Sequence, residues 1–190
     1  EAAIRHATAS GDLGLTSRMI WPEVALCVSS GRLGRLHAWL AELSDREIES
    51  DRWLSLAAAW AALQGGDAAT MIRWALVAER HAGPDWTATA STDPYAASVA
   101  VLYALVGAGG LDETRVLCGL ALEGLPPDDR FRAAAAFLLG VVLTLQRDTE
   151  GGRRSAKEAE LLGRSLDVPV VAADGKAWLG LLEIADGRRD

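Results

Sequence analysis

Apolar residues along this chain recur at three- and four-residue spacing, and short Gly/Asp turns divide them into segments. Leu33, Leu36, Leu40 and Leu43 form an i, i+3, i+7, i+10 stripe with Trp39 beside it, the period of an amphipathic helix. The same period predicts helices over residues 1–9, 13–30, 53–64, 67–82, 94–106, 111–122, 128–146, 149–165 and 170–185. Ser44-Asp45-Arg46-Glu47 has the form of a capping box opening a very short further helix. The expected total is about ten or eleven helices.

The punctuation is specific. Ser10-Gly11 ends the first segment and Asp12 caps the next; Gly65-Gly66 and Gly107 to Gly110 are turns; Gly83-Pro84 is a stop signal. Pro22, after Trp21, predicts a kink or a fresh helix start inside the second segment, because proline removes a backbone donor and crowds the preceding turn. Residues 84–93, rich in Thr, Ser and Ala, read as the one substantial loop. Val168 to Val171 is β-branched, but Pro169 and the alanines after it favour a helix entry over a strand. The predicted class is therefore all-α.

A repeat underlies the pattern. Leu56-Ala57, Leu102-Tyr103, Leu139-Gly140 and Leu179-Gly180 mark the first helix of successive hairpins, and Asp67, Asp112 and Asp148 follow the first three as turn or cap residues. Leu56, Leu139 and Leu179 are expected to be buried at equivalent positions. A hairpin alone covers only part of its apolar face, so neighbours must stack, as antiparallel pairs in a right-handed superhelix with a concave inner face. The whole of 1–190 reads as a single helical-repeat domain, and the start at Glu1 within a helical pattern reads as a piece of a larger protein.

Composition narrows the chemistry. Half the residues are apolar, many of them alanine, and the formal net charge is −7 with a pI near 5.0. That balance argues against a nucleic-acid or anionic-membrane footprint, which needs clustered Lys and Arg. Arg153-Arg154 and Arg188-Arg189 read as solvated helix ends. Cys27 and Cys118 lie apart in apolar contexts, as buried thiols of a reducing compartment. No segment reaches membrane-spanning length and no secretory leader pattern opens the chain, so a soluble, cytoplasmic protein is expected.

Catalytic and metal-binding patterns find no support in the sequence. His6, His37 and His81 fall on different helices without ligand spacing. Asp128-Asp129 follows Pro126-Pro127, where a helix start favours carboxylates. Gly107-Ala108-Gly109-Gly110 lacks the Lys and Ser/Thr of a phosphate loop. No cofactor, metal or catalytic residue is expected, and the chain is read as a non-enzyme. The tryptophans stand out instead. Trp39, Trp53, Trp60 and Trp74 gather near the first regular hairpin, and packing is one reading of them. The other is a groove in which Trp39, Trp60 or Trp74 stacks on a flat effector while Arg73 or Glu79 fixes its polar groups, with loop residue Trp86 as a further contact.

The Leu56 to Trp60 pattern, the Gly-Asp turn and Ala78-Glu79 resemble a degenerate tetratricopeptide repeat. Trp53 and Trp60 supply its aromatics and Ala69 its small residue on the second helix. Tyr103, Phe137 and Trp178 depart from the pattern in later repeats. Together with Glu1 to Ala7, Ser10-Gly11-Asp12 and the Gly31 to Leu40 segment, the chain resembles the sensor region of MalT-like, LuxR-type bacterial transcriptional regulators. The resemblance implies a module that binds a small-molecule effector or a regulatory protein. It also implies a signal-transduction ATPase before the module, a helix-turn-helix domain after it and self-association of the whole protein. A constitutive scaffold for protein–protein interaction is the alternative.

Overall fold

In the computed structural model, residues 2–187 are described. Arg188-Arg189 and Glu1 of the first predicted helix lie outside them. The described residues form twelve α-helices and no strand: α1 (Ala2–Ala9), α2 (Leu13–Ser29), α3 (Leu33–Leu40), α4 (Asp45–Ser50), α5 (Arg52–Gln64), α6 (Ala68–Ala82), α7 (Trp86–Thr89), α8 (Pro94–Val106), α9 (Gly110–Gly124), α10 (Phe131–Leu145), α11 (Thr149–Ser165) and α12 (Pro169–Ala185). The chain is all-α. It divides between Asp85 and Trp86 into two compact units.

One turn recurs at three helix junctions. Between α1 and α2, between α5 and α6, and between α10 and α11, a residue in the left-handed region (Gly11, Gly66, Arg147) is followed by an aspartate. Each aspartate caps the following helix by accepting from the amide three residues on: Asp12 from Leu15, Asp67 from Thr70, Asp148 from Gly151. The cap satisfies amides that no helical carbonyl can reach. Arg147 adopts φ 69° without being glycine, so the turn is set by the hairpin and not only by glycine's freedom.

In the first unit α5 is the central helix. Nine of its residues in succession, Leu54 to Ala62, are buried, which requires cover on every side. α2, α3, α4 and α6 all pack on it. Asp51 caps α5 through the amides of Trp53 and Leu54, and Ser44 and Glu47 complete the capping box that opens α4.

The second unit repeats the plan. α8 is buried almost throughout from Tyr95 to Ala104. α9, α10, α11 and α12 then pack consecutively and antiparallel: Gln146 at the end of α10 donates to Asp112 at the start of α9 over 2.6 Å, and Arg132 donates to the Leu122 and Leu125 carbonyls at the other end. Small residues set how closely these helices approach. A Cβ at Gly140 would stand 3.0 Å from the Ala156 nitrogen and 3.1 Å from the Gly152 oxygen; one at Gly175 would stand 2.8 Å from the Ala156 oxygen. Beside Gly175 lies buried Glu160, held by Lys157 at 2.7 Å and Arg164 at 2.6 Å. The Lys157 hydrogen bond, with the charges of Arg164 and Lys176, holds its carboxyl below the usual range.

Several expectations are corrected. α2 runs through Pro22 without a fresh start; Pro22 and Arg18, whose carbonyl loses its donor, are both on the exposed side, where water replaces the lost bond. The supposed loop over 84–93 contains α7, and Trp86 is 7% exposed. Asp112 caps nothing: α9 begins at Gly110, and Asp112 lies in its first turn. Leu56 is fully buried, but Leu139 and Leu179 are only half-buried. Beside Leu139, Gly140 makes the close helix contact and leaves the leucine at the rim; Gly180, beside Leu179, has open space around it.

Candidate functional site

α6 places the polar candidates side by side. Its buried face carries Met71, Trp74, Ala75, Val77 and Ala78; its outer face carries Ile72, Arg73, Leu76 and Arg80. Ile72 and Leu76 lie one turn apart and keep 53% and 50% of their surface exposed. The Arg73 guanidinium sits 4.4 Å from the Trp74 ring centroid, and its Nη2 reaches Asp45 at 2.7 Å. Arg80 pairs with Glu49 at 2.9 Å, and His81 Nε2 donates to the Glu49 carbonyl over 2.9 Å. Three side chains of α6 thus fasten the short helix α4, whose own capping Glu47 is held below the usual carboxylate range by its bonds to Ser44.

Two open clefts share Arg80. Leu76, Glu79, Arg80, Gly83 and Pro84 line one of about 470 Å³; Glu49, Val77, Arg80 and His81 line another of about 230 Å³. Their walls offer aliphatic carbon next to carboxylate, guanidinium and imidazole. Such a surface can seat a ligand or a polypeptide segment with an apolar anchor and polar ends. In the second unit, Gly109, Gly110, Leu111, Asp112, Arg115 and Gln146 line a further open depression of about 720 Å³.

The structure sorts the six residues singled out from the sequence into two groups. Arg73 and Glu79 stand on the outer face of α6. Trp39 and Trp60 are 2% exposed, Trp74 5% and Trp86 7%, which makes these rings core and leaves no open face for stacking on a ligand. Trp86 belongs to the second unit, where its ring lies 5.5 Å from that of Tyr103. In the first unit the half-exposed aromatic pair is a different one: the rings of Trp21 of α2 and Trp53 of α5 lie 4.7 Å apart, tilted at 37°, with the Arg52 guanidinium 5.5 Å from the Trp53 ring. Trp21 was legible only as the residue before a proline. Its partner lies three helices further along the chain, on α5, and is set by tertiary packing.

Both cysteines are buried and unbridged, and burial pushes the Cys118 thiol up to about 12. The three histidines are exposed. Among the described residues no helix is long and apolar enough to cross a membrane, and no group of three or more His, Cys, Asp or Glu stands close enough to hold a metal ion. No protein-family model, curated protein or solved structure matches this chain.

Proposed function

We propose that this chain is the sensor region of a MalT-like, LuxR-type bacterial transcriptional regulator, in which the hairpins stack as a right-handed tetratricopeptide-like superhelix. It binds an effector or a regulatory protein and relays that binding to an ATPase and a helix-turn-helix domain carried elsewhere in the regulator. The observation that carries the reading is the recurrence of one turn, a left-handed residue followed by a capping aspartate, at three helix junctions of otherwise different sequence. Repeated hairpins of this kind form extended binding surfaces and leave chemistry to attached domains.

Burial of the tryptophans moves the binding surface outward, to α6 and its junction with α4. A ligand there touches Leu76, Glu79 and Arg80, and changes the state of the module by favouring one arrangement of α4 against α6. The coding sequence on either side tests the family: a phosphate-loop ATPase upstream and a helix-turn-helix domain downstream are expected, and their absence from both sides rejects the reading. A thermal-shift screen of metabolites tests the site. A hit at about 100 times its dissociation constant stabilises the chain by roughly 2.7 kcal/mol, and Arg80→Ala should remove that gain.

A further inference from the structure

The larger of the two clefts that share Arg80 carries opposite charges on one wall. Leu76, Glu79, Arg80 and Gly83, which line it together with Pro84, stand at i, i+3, i+4 and i+7, so they share one face at the C-terminal end of α6. Leu76 is 50% exposed and brings aliphatic carbon next to a carboxylate and a guanidinium. The end of the cleft is set by the way the chain leaves the helix. Gly83 turns it with φ 94° and ψ 169°, a conformation that only glycine adopts readily, and a Cβ there would meet nothing within 4 Å. Backbone geometry, and not crowding, therefore demands glycine at this point. Pro84 follows, four residues on from Arg80, and has no N–H, so the Arg80 carbonyl loses the donor that a continuing helix would give it. The Glu79 carboxylate and the negative end of the helix dipole thus offer this end of the cleft to a cation. The Arg80 guanidinium beside them offers the opposite sign to a carboxylate.

We infer that this cleft takes a free α-amino acid with an aliphatic side chain. The inference rests on the reading of this surface as the effector site and names the chemical class of the effector. The ammonium group pairs with Glu79 at the end of α6, the carboxylate takes the Arg80 guanidinium, and the side chain lies on Leu76 and Pro84. Arg80 is open to such a competitor: its pair with Glu49 joins side chains that are 66% and 54% exposed, and so exposed a pair holds weakly. Drawing Arg80 away from Glu49 also undoes one of the fastenings of α4, which ties occupancy of the cleft to the position of that helix. The volume, about 470 Å³, lies in the range of small-molecule sites and toward its lower end.

Three probes read the two charges separately: leucine; isoamylamine, which is leucine without its carboxylate; and isocaproate, which is leucine without its ammonium group. In chemical-shift titrations of the whole isotope-labelled chain, leucine should bind with a dissociation constant of about 1 mM or below and move the Leu76, Glu79, Arg80 and Gly83 amides. Each analogue should bind at least about tenfold more weakly, because one charged group in the wall is then left without its partner. Glu79→Gln should weaken leucine about tenfold and leave isocaproate unchanged, and Arg80→Gln should weaken leucine about tenfold and leave isoamylamine unchanged. Neither side chain is buried, so the helical circular-dichroism spectrum should stay the same in both variants.

An analogue that binds as tightly as leucine, leucine binding that neither substitution weakens, or no leucine binding up to about 20 mM would each overturn the inference. A compound of another class whose binding depends on Arg80 would overturn it while leaving the effector site in place. A metabolite screen without any Arg80-dependent compound would remove the site as well.

Discussion

At the scale of single residues, the tryptophans and the charged groups of the first unit have opposite roles. Trp60 is 2% exposed within α5, so Trp60→Ala should destabilise the chain by about 3–5 kcal/mol in urea unfolding through the cavity it leaves. Arg73 is an exposed ion-pair partner, and Arg73→Ala should change stability by less than about 1 kcal/mol. Asp129 has a different effect. Burial holds its carboxyl above the ordinary range, while the Phe131 amide that donates to it pulls the other way. The unfolded chain therefore ionises this group at a lower pH than the folded chain does, and ionisation at neutral pH favours unfolding. Asp129→Asn, which can still accept from Phe131, should raise the melting temperature at pH 7, and the gain should vanish as pH falls below the ordinary carboxylate range. The caps Asp12, Ser44, Asp67 and Asp148 were legible in the sequence, because Asp and Ser before an apolar run have a local physical cause, whereas Asp112 was misplaced and Asp51 and Asp93 were not singled out. The fate of the tryptophans was not, since helical spacing is the same for a core ring and a groove ring, and only the neighbouring helices decide between them.

At the scale of elements, helix order and most boundaries were legible from period and punctuation alone. α11 occupies the residues expected of it, 149–165, and α8 runs from Pro94 to Val106 as its proline start and glycine stop require. α7 was missed because a single turn of Trp-Thr-Ala-Thr is too short to display a period. What holds that segment is a close approach: a Cβ at Gly124, at the end of α9, would stand 1.8 Å from the Ala90 carbonyl oxygen. Gly124→Ala should therefore displace residues 86–93 from α9 and lower stability by about 1–3 kcal/mol, with Trp86 fluorescence reporting the move. Gly140→Val should separate α10 from α11 at similar expense, because the atoms in its path are backbone and cannot rotate away. By contrast Arg147→Gly, at a left-handed turn position, should stabilise the hairpin by up to about 1 kcal/mol.

For the molecule as a whole, net charge is the property most easily read and the one with the clearest outcome. At −7 the chain should leave the mobility of duplex DNA unchanged at micromolar concentration, even at low salt where phosphate contacts are strongest. The division between Asp85 and Trp86 was harder to see. Composition is uniform across it, and Gly83-Pro84 looks like any other helix stop. The recurring turn also bears on how the chain acquires its structure. Each hairpin closes over a junction of a few residues, and its helices find their main partners next to them in sequence, so little loop entropy is lost before contacts form. Refolding should be fast, and during synthesis each hairpin can close as its second helix leaves the ribosome, without waiting for the C-terminus to be made.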